Sequence, residues 1–559
     1  MVGLDTLVHV GRHTYENCLS DENREVYKIP PVIEKMIERK MLGDKTGQGF
    51  YKKVKNEKGK EILALDLQTL EYRPQEKIRY DSLEGSKNID DTAERIRQMV
   101  HAEDRAGQFA WSAMADLLVY AANRVPEIAD DVVNVDNAMK WGFNWDLGPF
   151  ESWDAIGVRE ASERLKKDGV PIPKSVQEVL TKGEGKFYKK AEGKKFFFDF
   201  TTSSYRELPE RPGVIVLSSL KERKKVIRKN DSASLIDLGE GVACLEFHSK
   251  MNAIDDEIVA MMKAGLDEVN RNFVGLVIAN QGENFSVGAN LMLLWLEAQQ
   301  KNWDRIKEVV RGFQDAAMAL KYAPKPVVSA PFGLTLGGGC EAAMGAAKIR
   351  AHAELYMGLV EVGVGLIPAG GGCKEMLLRC EEFQRKKFSS IPPAYRWAKE
   401  IDGGPFPKVQ MAFETVAFAR VSTSAKEARS LHYLREADEI SLSRDHLIQD
   451  AKQDVLTLSK NYLPAKPRED IRVPGRGGKY ALQSAIQGFR EKRMITEHDA
   501  VIAEKLAHVL SGGDRPVAGY ATEQQILDLE REVFLQLVGM EKSQARMQQM
   551  LMTGKPLRN

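Results

Sequence analysis

Three glycine-containing segments in the second half of the chain constrain its fold more than any other feature of the sequence. They lie at 285–291, 331–341 and 361–372, each between stretches with the pattern of strands and helices. Glycine lets a ligand approach the main chain closely. Two of these segments carry a glutamate, Glu341 at the end of the second and Glu361 at the start of the third. The pattern predicts an α/β domain with a ligand site at its glycine-rich turns.

Size and composition limit the number of domains and the kinds of partner and ligand to expect. The 559 residues, 43% of them apolar, suffice for roughly three or four domains of about 150 residues. A net charge of +1 gives no reason to expect nucleic acid or an anionic membrane as partner. No apolar run approaches the ~20 residues that cross a bilayer, and the first thirty residues do not form a signal peptide. The five cysteines form no CxxC pair and no metal-ligand spacing with the nine histidines. We therefore expect a cytoplasmic protein with free thiols and no metal.

Strand and helix patterns alternate through the second half of the chain. Residues 235–238 and 242–247 flank a Gly-Glu-Gly turn and predict a hairpin. Helical spacing follows at 255–270, and short buried strands are predicted at 275–279 and 326–330. This alternation is typical of an α/β unit.

The front third contains a diverged internal repeat. Residues 42–53 reappear at 181–190, and both copies contain a Gly-x-Gly sequence followed by Phe-Tyr-Lys-Lys. Two copies are too few for a solenoid, so the repeat predicts a duplicated small helical domain. Helical spacing between the copies predicts a helix face buried in the core. The residues of this face are Phe109, Trp111, Met114, Leu117, Leu118 and Ala121.

The three glycine-containing segments together resemble those of the crotonase (enoyl-CoA hydratase) superfamily. That resemblance implies chemistry on an acyl-CoA thioester. It also implies that the backbone amides of Ala289 and Gly338 form an oxyanion hole, because negative charge develops on the thioester oxygen in the transition state. Asn290 stands where many crotonases carry Asp, and we expect little effect from this difference.

The resemblance also implies roles for both glutamates. Crotonases with both are typically hydratases, whereas related isomerases often retain only the second. We assign water activation mainly to Glu341 and proton delivery mainly to Glu361, and the sharing of protons between them stays open. The segment 250–254 resembles the loop whose backbone contacts the CoA adenine, which makes Ala253 a candidate contact. Alternatively, Asn252 caps the start of a helix there.

The two front copies resemble the C-terminal helical domains of 3-hydroxyacyl-CoA dehydrogenases, in which Gly-Leu-Asp is followed by Lys-Thr-Gly-x-Gly-Phe-Tyr. Bacterial β-oxidation proteins that place a dehydrogenase first and a crotonase second have this order. No GxGxxG sequence follows a strand, and the His-x-x-Asn-Pro segment of the dehydrogenases is absent. We therefore expect the chain to be the remainder of a longer protein without its N-terminal Rossmann domain. NAD would then bind only to the intact parent protein.

The resulting fold class is multidomain: two α-helical dehydrogenase C-terminal-like domains, then an α/β crotonase (ClpP/crotonase-like) domain with a helical C-terminal region. The segment 203–229 is charged, contains Pro209 and Pro212, and is predicted to be a linker. The predicted boundaries are 1–80 for a partial first helical domain, 90–202 for the second, 203–229 for the linker, and 230–559 for the crotonase domain, with an insertion near 381–421.

The function implied by the resemblance is enoyl-CoA hydratase in fatty-acid β-oxidation, with syn addition of water to a 2-trans-enoyl-CoA. It needs no cofactor beyond the CoA of the substrate. One alternative is another crotonase reaction, such as enoyl-CoA isomerisation. A second is a non-catalytic half that completes a dehydrogenase with a separate Rossmann subunit, and a third is an inactive fragment. Other partners that the resemblance leaves open are further copies of the chain and a β-oxidation thiolase.

Overall fold

The computed structural model describes residues 3–56, 59–76, 78–89, 91–191, 193–389 and 406–559. The chain forms two compact units, Met1–Pro209 and Glu210–Asn559. No helix in the described ranges is long and apolar enough to cross a membrane. The helices of the first unit are α1 (Leu4–Asn17), α2 (Pro31–Glu38), α3 (Asp81–Ser86), α4 (Thr92–His101), α5 (Arg105–Asn123), α6 (Val132–Phe143), α7 (Pro149–Ile156), α8 (Val158–Lys167) and α9 (Lys174–Lys182).

Each copy of the front repeat ends in a three-stranded antiparallel sheet, which the prediction of purely helical domains missed. In each sheet the strands pair in sequence order. Tyr51 and Tyr188 of the repeated Phe-Tyr-Lys-Lys sequence open the first strand, and aromatic residues favour strands over helices. The strands are β1 (Tyr51–Asn56), β2 (Gly59–Leu65), β3 (Tyr72–Pro74), β4 (Tyr188–Ala191), β5 (Lys194–Asp199) and β6 (Ser204–Glu207).

Helix α5 contains the apolar face that the sequence predicts between the two copies. Trp111 and Leu118 are buried, at 6% and 1% exposed, and the core there also contains Trp153. Phe109 is 75% exposed, so its assignment to the buried face was wrong. It lies about 200° around the helix from Trp111, which turns its side chain away from the core.

The segment 203–229, predicted as a linker, instead contains regular structure on both sides of Pro209. Strand β6 closes the first unit, and α10 (Leu217–Glu222) and β7 (Val226–Lys229) begin the second. Strand β7 is the last strand in its sheet, and charged side chains are common on such edge strands. The composition that suggested a linker thus belongs partly to a sheet edge.

The second unit is built on a seven-stranded sheet of order β15-β13-β11-β10-β9-β8-β7. Strands β7, β8 and β9 pair antiparallel, which confirms the predicted hairpin, and the pairs from β9 to β15 are parallel. A parallel two-stranded sheet, β12-β14, and an antiparallel one, β16-β17, accompany it. The strands are β8 (Ala233–Asp237), β9 (Val242–Phe247), β10 (Gly275–Ala279), β11 (Val327–Ser329), β12 (Gly333–Leu336), β13 (Lys348–His352), β14 (Leu355–Gly358), β15 (Glu439–Ser441), β16 (Ile471–Val473) and β17 (Gly519–Ala521).

Helices cover this sheet and form the C-terminal region of the second unit, where helical structure was predicted. Of the predicted insertion near 381–421, residues 390–405 lie outside the described residues. The helices are α11 (Asp256–Asn272), α12 (Leu291–Gln299), α13 (Trp303–Lys321), α14 (Gly338–Met344), α15 (Gly372–Ser389), α16 (Pro407–Ala417), α17 (Ala425–Ser430), α18 (Leu447–Ser459), α19 (Gly475–Glu491), α20 (Glu497–Leu510), α21 (Glu523–Val538) and α22 (Glu541–Thr553).

Candidate active site

Glycines at the β12–α14 turn position Glu341. Gly337 adopts a φ of 51°, a left-handed conformation that favours glycine, and it turns the chain from the strand into the helix. Gly339 packs so closely that a methyl group on it would lie 2.5 Å from Ser286 Cβ. Glu341 then falls in the first turn of α14 and is only 4% exposed. The local sequence therefore fixes a buried carboxyl group close to a helix N-terminus.

Two backbone amides bind one oxygen of that carboxyl group. The amides of Gly370 and Gly372 each donate to Glu341 Oε1 at 2.7 Å. Burial raises the pKa of Glu341 to about 7, while the two amide donors and the positive charge of Lys374 act in the opposite direction. A carboxyl group with this pKa can accept or release a proton near neutral pH.

Glu361 begins the short 3-10 helix Glu361–Val364 that follows β14. A methyl group on Gly337 would lie 3.1 Å from Glu361 Oε1, which places this carboxyl group beside the turn into α14. Its Oε2 is buried and has no hydrogen-bond partner among the described residues. Burial, and then the charge of Glu341, raise the pKa of Glu361 well above its usual value. An ionised Glu341 therefore disfavours the ionisation of Glu361.

The two predicted oxyanion-hole amides are neighbours. A methyl group on Gly338 would lie 3.2 Å from the amide nitrogen of Ala289. The chain around Ala289 is fixed by Gly288 O, which accepts from the Ile254 amide at 2.8 Å, and by the Asn290 amide, which donates to Ile254 O at 3.0 Å. Within the described residues, neither the Ala289 nor the Gly338 amide has an acceptor. Two free amides in such proximity can bind an oxygen that carries negative charge.

Ala253 lies one residue before Ile254, and thus next to the backbone that pairs with the Ala289 segment. Its carbonyl accepts a hydrogen bond from Ser249 Oγ at 2.7 Å. The alternative, a helix cap at Asn252, was wrong, because Asp255 Oδ1 caps α11 by accepting from the Ile258 amide at 2.9 Å. The contact of Ala253 with an adenine ring stays a prediction.

The structure thus brings Ala289, Gly338, Glu341 and Glu361 to one site. Asn290 has a local role, since its Oδ1 caps α12 by accepting from the Leu293 amide at 3.1 Å. In the described part of the chain, no cluster of three or more His, Cys, Asp or Glu side chains is placed to hold a metal ion.

Sequence reasoning missed one buried residue at this site, Glu530 on α21. Its carboxylate accepts from the Gly371 amide at 2.9 Å and the Lys374 amide at 2.7 Å, in the loop that also binds Glu341. Burial, and then the charge of Glu341, raise the pKa of Glu530 well above its usual value. The sequence offers one signal for this residue. Glu530 lies on the apolar face of the helix, four residues after Ile526, where a charged side chain needs a partner.

Comparison with known proteins identifies relatives of this chain. The family model described as enoyl-CoA hydratase/isomerase matches residues 237–380, which include all four residues of the site. A Bacillus subtilis (strain 168) protein named a probable 3-hydroxyacyl-CoA dehydrogenase is 45% identical over 559 residues, covering 100% of this chain and 68% of that protein.

Two rickettsial relatives are more distant. Proteins named as fatty acid oxidation complex trifunctional enzymes in Rickettsia felis and Rickettsia prowazekii are 24% and 28% identical over 93% and 66% of this chain. The chain spans 62% and 47% of their respective lengths.

Solved structures give a weaker likeness. The crystal structure of enoyl-CoA hydratase from Bacillus halodurans covers 57% of this chain and 99% of that chain at 14% identity, with a TM-score of 0.37. A score this low adds no support to the assignment, which rests on the sequence relatives. By its similarity to the Bacillus subtilis protein over its whole length, the chain belongs to the bacterial 3-hydroxyacyl-CoA dehydrogenase family of fatty-acid oxidation proteins, and it includes an enoyl-CoA hydratase/isomerase domain.

Proposed function

We propose that this chain is an enoyl-CoA hydratase of fatty-acid β-oxidation, which adds water to a 2-trans-enoyl-CoA and yields a 3-hydroxyacyl-CoA. The observation that carries the proposal is the pairing of two carboxyl groups, the buried one of Glu341 and that of Glu361, whose Oε2 is buried, with two adjacent free amides, those of Ala289 and Gly338. The family description and the names of the relatives support an acyl-CoA substrate.

The free amides act on the thioester. As water adds to the β-carbon, negative charge moves onto the thioester oxygen, where donors in a preorganised site lower the barrier most. The amides of Ala289 and Gly338 would hold that oxygen. Each has no competing acceptor in the described residues, so binding the thioester breaks no protein hydrogen bond.

The two carboxyl groups would move the protons. Glu341, with a pKa of about 7, accepts a proton from water as the water oxygen bonds to the β-carbon. Glu361, with a pKa well above its usual value, delivers a proton to the α-carbon. A proton then passes from Glu341 back to Glu361, directly or through solvent, and restores the starting state.

Hydration leaves the oxidation state of the substrate unchanged overall, so it needs no redox cofactor. NAD would serve only the dehydrogenase reaction, which consumes the 3-hydroxyacyl product. We assign that reaction to the longer parent protein, since the GxGxxG sequence that binds a dinucleotide is absent from this chain.

Isomerisation of the double bond is the rival reaction within the family description. It moves one proton between two carbons and can proceed with a single carboxyl group, whereas hydration must handle the protons of water as well. The presence of both Glu341 and Glu361 at one site therefore favours hydration.

The test is loss of the enoyl-thioester absorbance when the purified chain is mixed with crotonyl-CoA or decenoyl-CoA, first without and then with NAD. We expect loss without NADH formation, and 3-hydroxyacyl-CoA as product. Folded protein that leaves both substrates unchanged would refute the hydratase proposal. Formation of NADH would refute the assignment of hydride transfer to the parent protein alone.

A further inference from the structure

Four backbone amides at the start of α15 are divided between two buried carboxyl groups. The amides of Gly370 and Gly372 donate to Glu341 Oε1. The Gly371 amide, which lies between them, donates to Glu530 Oε2, and the Lys374 amide donates to Glu530 Oε1. The loop thus donates two hydrogen bonds to Glu341 on α14 and two to Glu530 on α21.

Glycine is required for neighbouring amides of the loop to bind different carboxyl groups. Gly371 has a φ of 111°, which lets successive amides serve different acceptors. A methyl group on Gly372 would lie 2.8 Å from Glu341 Oε1, and one on Gly370 would lie 2.6 Å from Glu341 Oε2. The backbone is therefore in direct contact with the Glu341 carboxyl group, so a shift of the loop would also shift that group.

Helix α21 holds the loop at a second point. Gln314, 1% exposed, donates from Nε2 to Ala369 O at 2.7 Å and to Leu527 O at 2.9 Å. Arg531 Nη1 donates to Gln314 Oε1 at 2.6 Å. Glu530 itself is fully buried, so its two bonds to the loop are not exchanged for bonds to bulk water.

We propose that Glu530 is a positioning residue for the hydration reaction, acting through the loop to hold Glu341. By binding the Gly371 and Lys374 amides, it keeps the Gly370 and Gly372 amides aimed at Glu341 Oε1. Glu341 Oε2 is then left to meet the water. This inference rests on the proposed function, because it gives Glu341 its role as the base.

The two amide donors and the charge of Lys374 favour the ionised form of Glu530 and oppose the burial that raises its pKa. Both oxygens of Glu530 accept from backbone amides, and glutamine offers only one acceptor. In Glu530→Gln the side-chain NH₂ group would face one of the two backbone amides. Loss of a simple helix cap lowers only the free energy of unfolding. Loss of a positioning residue also lowers kcat.

The kinetic test compares Glu530→Gln with Asp454→Asn, a buried carboxylate on α18 that binds Lys348 and Arg350 and makes no contact with the loop. We expect kcat for crotonyl-CoA to fall about tenfold to hundredfold in Glu530→Gln while KM changes less than about threefold. In Asp454→Asn, kcat should stay within about threefold of the parent despite lower thermal stability. Equal kcat losses in the two variants, or none in Glu530→Gln, would overturn the inference.

Amide hydrogen exchange of the segment 368–374 gives a readout that does not depend on activity. We expect faster exchange there in Glu530→Gln than in the parent or in Asp454→Asn, because one of the two backbone amides loses its acceptor oxygen. Unchanged exchange in a folded Glu530→Gln variant would overturn the inference.

If the parent lacks hydratase activity, the proposed function fails, and the exchange result still decides whether Glu530 holds the loop. Where the glutamine variant does not fold, Glu530→Asp, shorter by one methylene, takes its place with the same expectations.

Discussion

At the scale of single residues, the two carboxyl groups of the proposed site differ in what raises their pKa. The pKa of Glu341 is raised to about 7 by burial, and the pKa of Glu361 is raised well above its usual value by burial and by Glu341. Since the proposed base must be ionised, kcat/KM should rise with pH through about 7. It should fall again at higher pH, where Glu361 loses its proton. A kcat/KM profile without an acidic limb near neutrality would contradict these roles.

Substitution of either glutamate by glutamine tests its proposed role as base or acid. In Glu341→Gln the remaining oxygen can still accept from Gly370 and Gly372, so the fold should be retained. We expect both Glu341→Gln and Glu361→Gln to lower kcat for crotonyl-CoA by about two orders of magnitude or more, as loss of a positioned acid or base does. Near-parental kcat in either variant would remove that residue from the mechanism.

Gly338 allows the amide itself to be tested. Gly338 is the first residue of α14, a position where proline fits the helix and lacks only the N–H group. Gly338→Pro should lower kcat about a hundredfold to a thousandfold. Gly338→Ala adds the same Cβ near Ala289 but keeps the donor, so its loss should stay below about tenfold. Equal losses in the two variants would point to crowding rather than to the amide.

The sequence predicts some residues of this site and not others. Glu341 and Glu361 are visible because each stands in a glycine-rich segment whose order and spacing resemble those of crotonases. Glu530 lies in an amphipathic helix, 159 residues beyond Gly371, and its role depends on a contact between distant elements. Only the structure shows that contact, although a glutamate on an apolar helix face is a signal that could be searched for.

At the scale of elements, the loop before α15 depends on glycine. A methyl group on Gly370 would lie 2.3 Å from Phe313 Cε1, so Gly370→Ala should lower the free energy of unfolding by about 1–3 kcal/mol and kcat by at least about tenfold. Gly363→Ala is the matched control, because a methyl group there meets nothing within 4 Å. Its free energy of unfolding, measured in urea, should change by less than about 0.5 kcal/mol. Similar effects at both positions would mean that loop packing is not the cause.

Elements were predicted well where one pattern dominates. The hairpin of β8 and β9 was predicted because a Gly-Glu-Gly turn separates two apolar runs. The sheets of the front repeat were missed because their strands are short and rich in lysine, as in β1 and β4. Such strands depend on their pairing partners more than on their own composition.

At the scale of the whole molecule, the two units have separate cores. In the described part of the chain, most buried apolar residues of Glu210–Asn559 form one cluster, and most of those of Met1–Pro209 form two others. All four proposed site residues lie in the second unit. We expect a protein of residues 210–559 to fold and to hydrate crotonyl-CoA with a kcat within about threefold of the longer chain. A folded but inactive fragment would show that the first unit contributes to the site.

Glu361 keeps a buried carboxyl oxygen, Oε2, without a hydrogen-bond partner in the described residues. A buried polar atom in that state lowers the free energy of unfolding by about 1–3 kcal/mol. An apolar side chain of similar length would stabilise the domain at this position and would remove the proposed proton donor. The domain thus gives up stability where the reaction is proposed to occur, and evolution towards stability alone would eliminate this carboxyl group early.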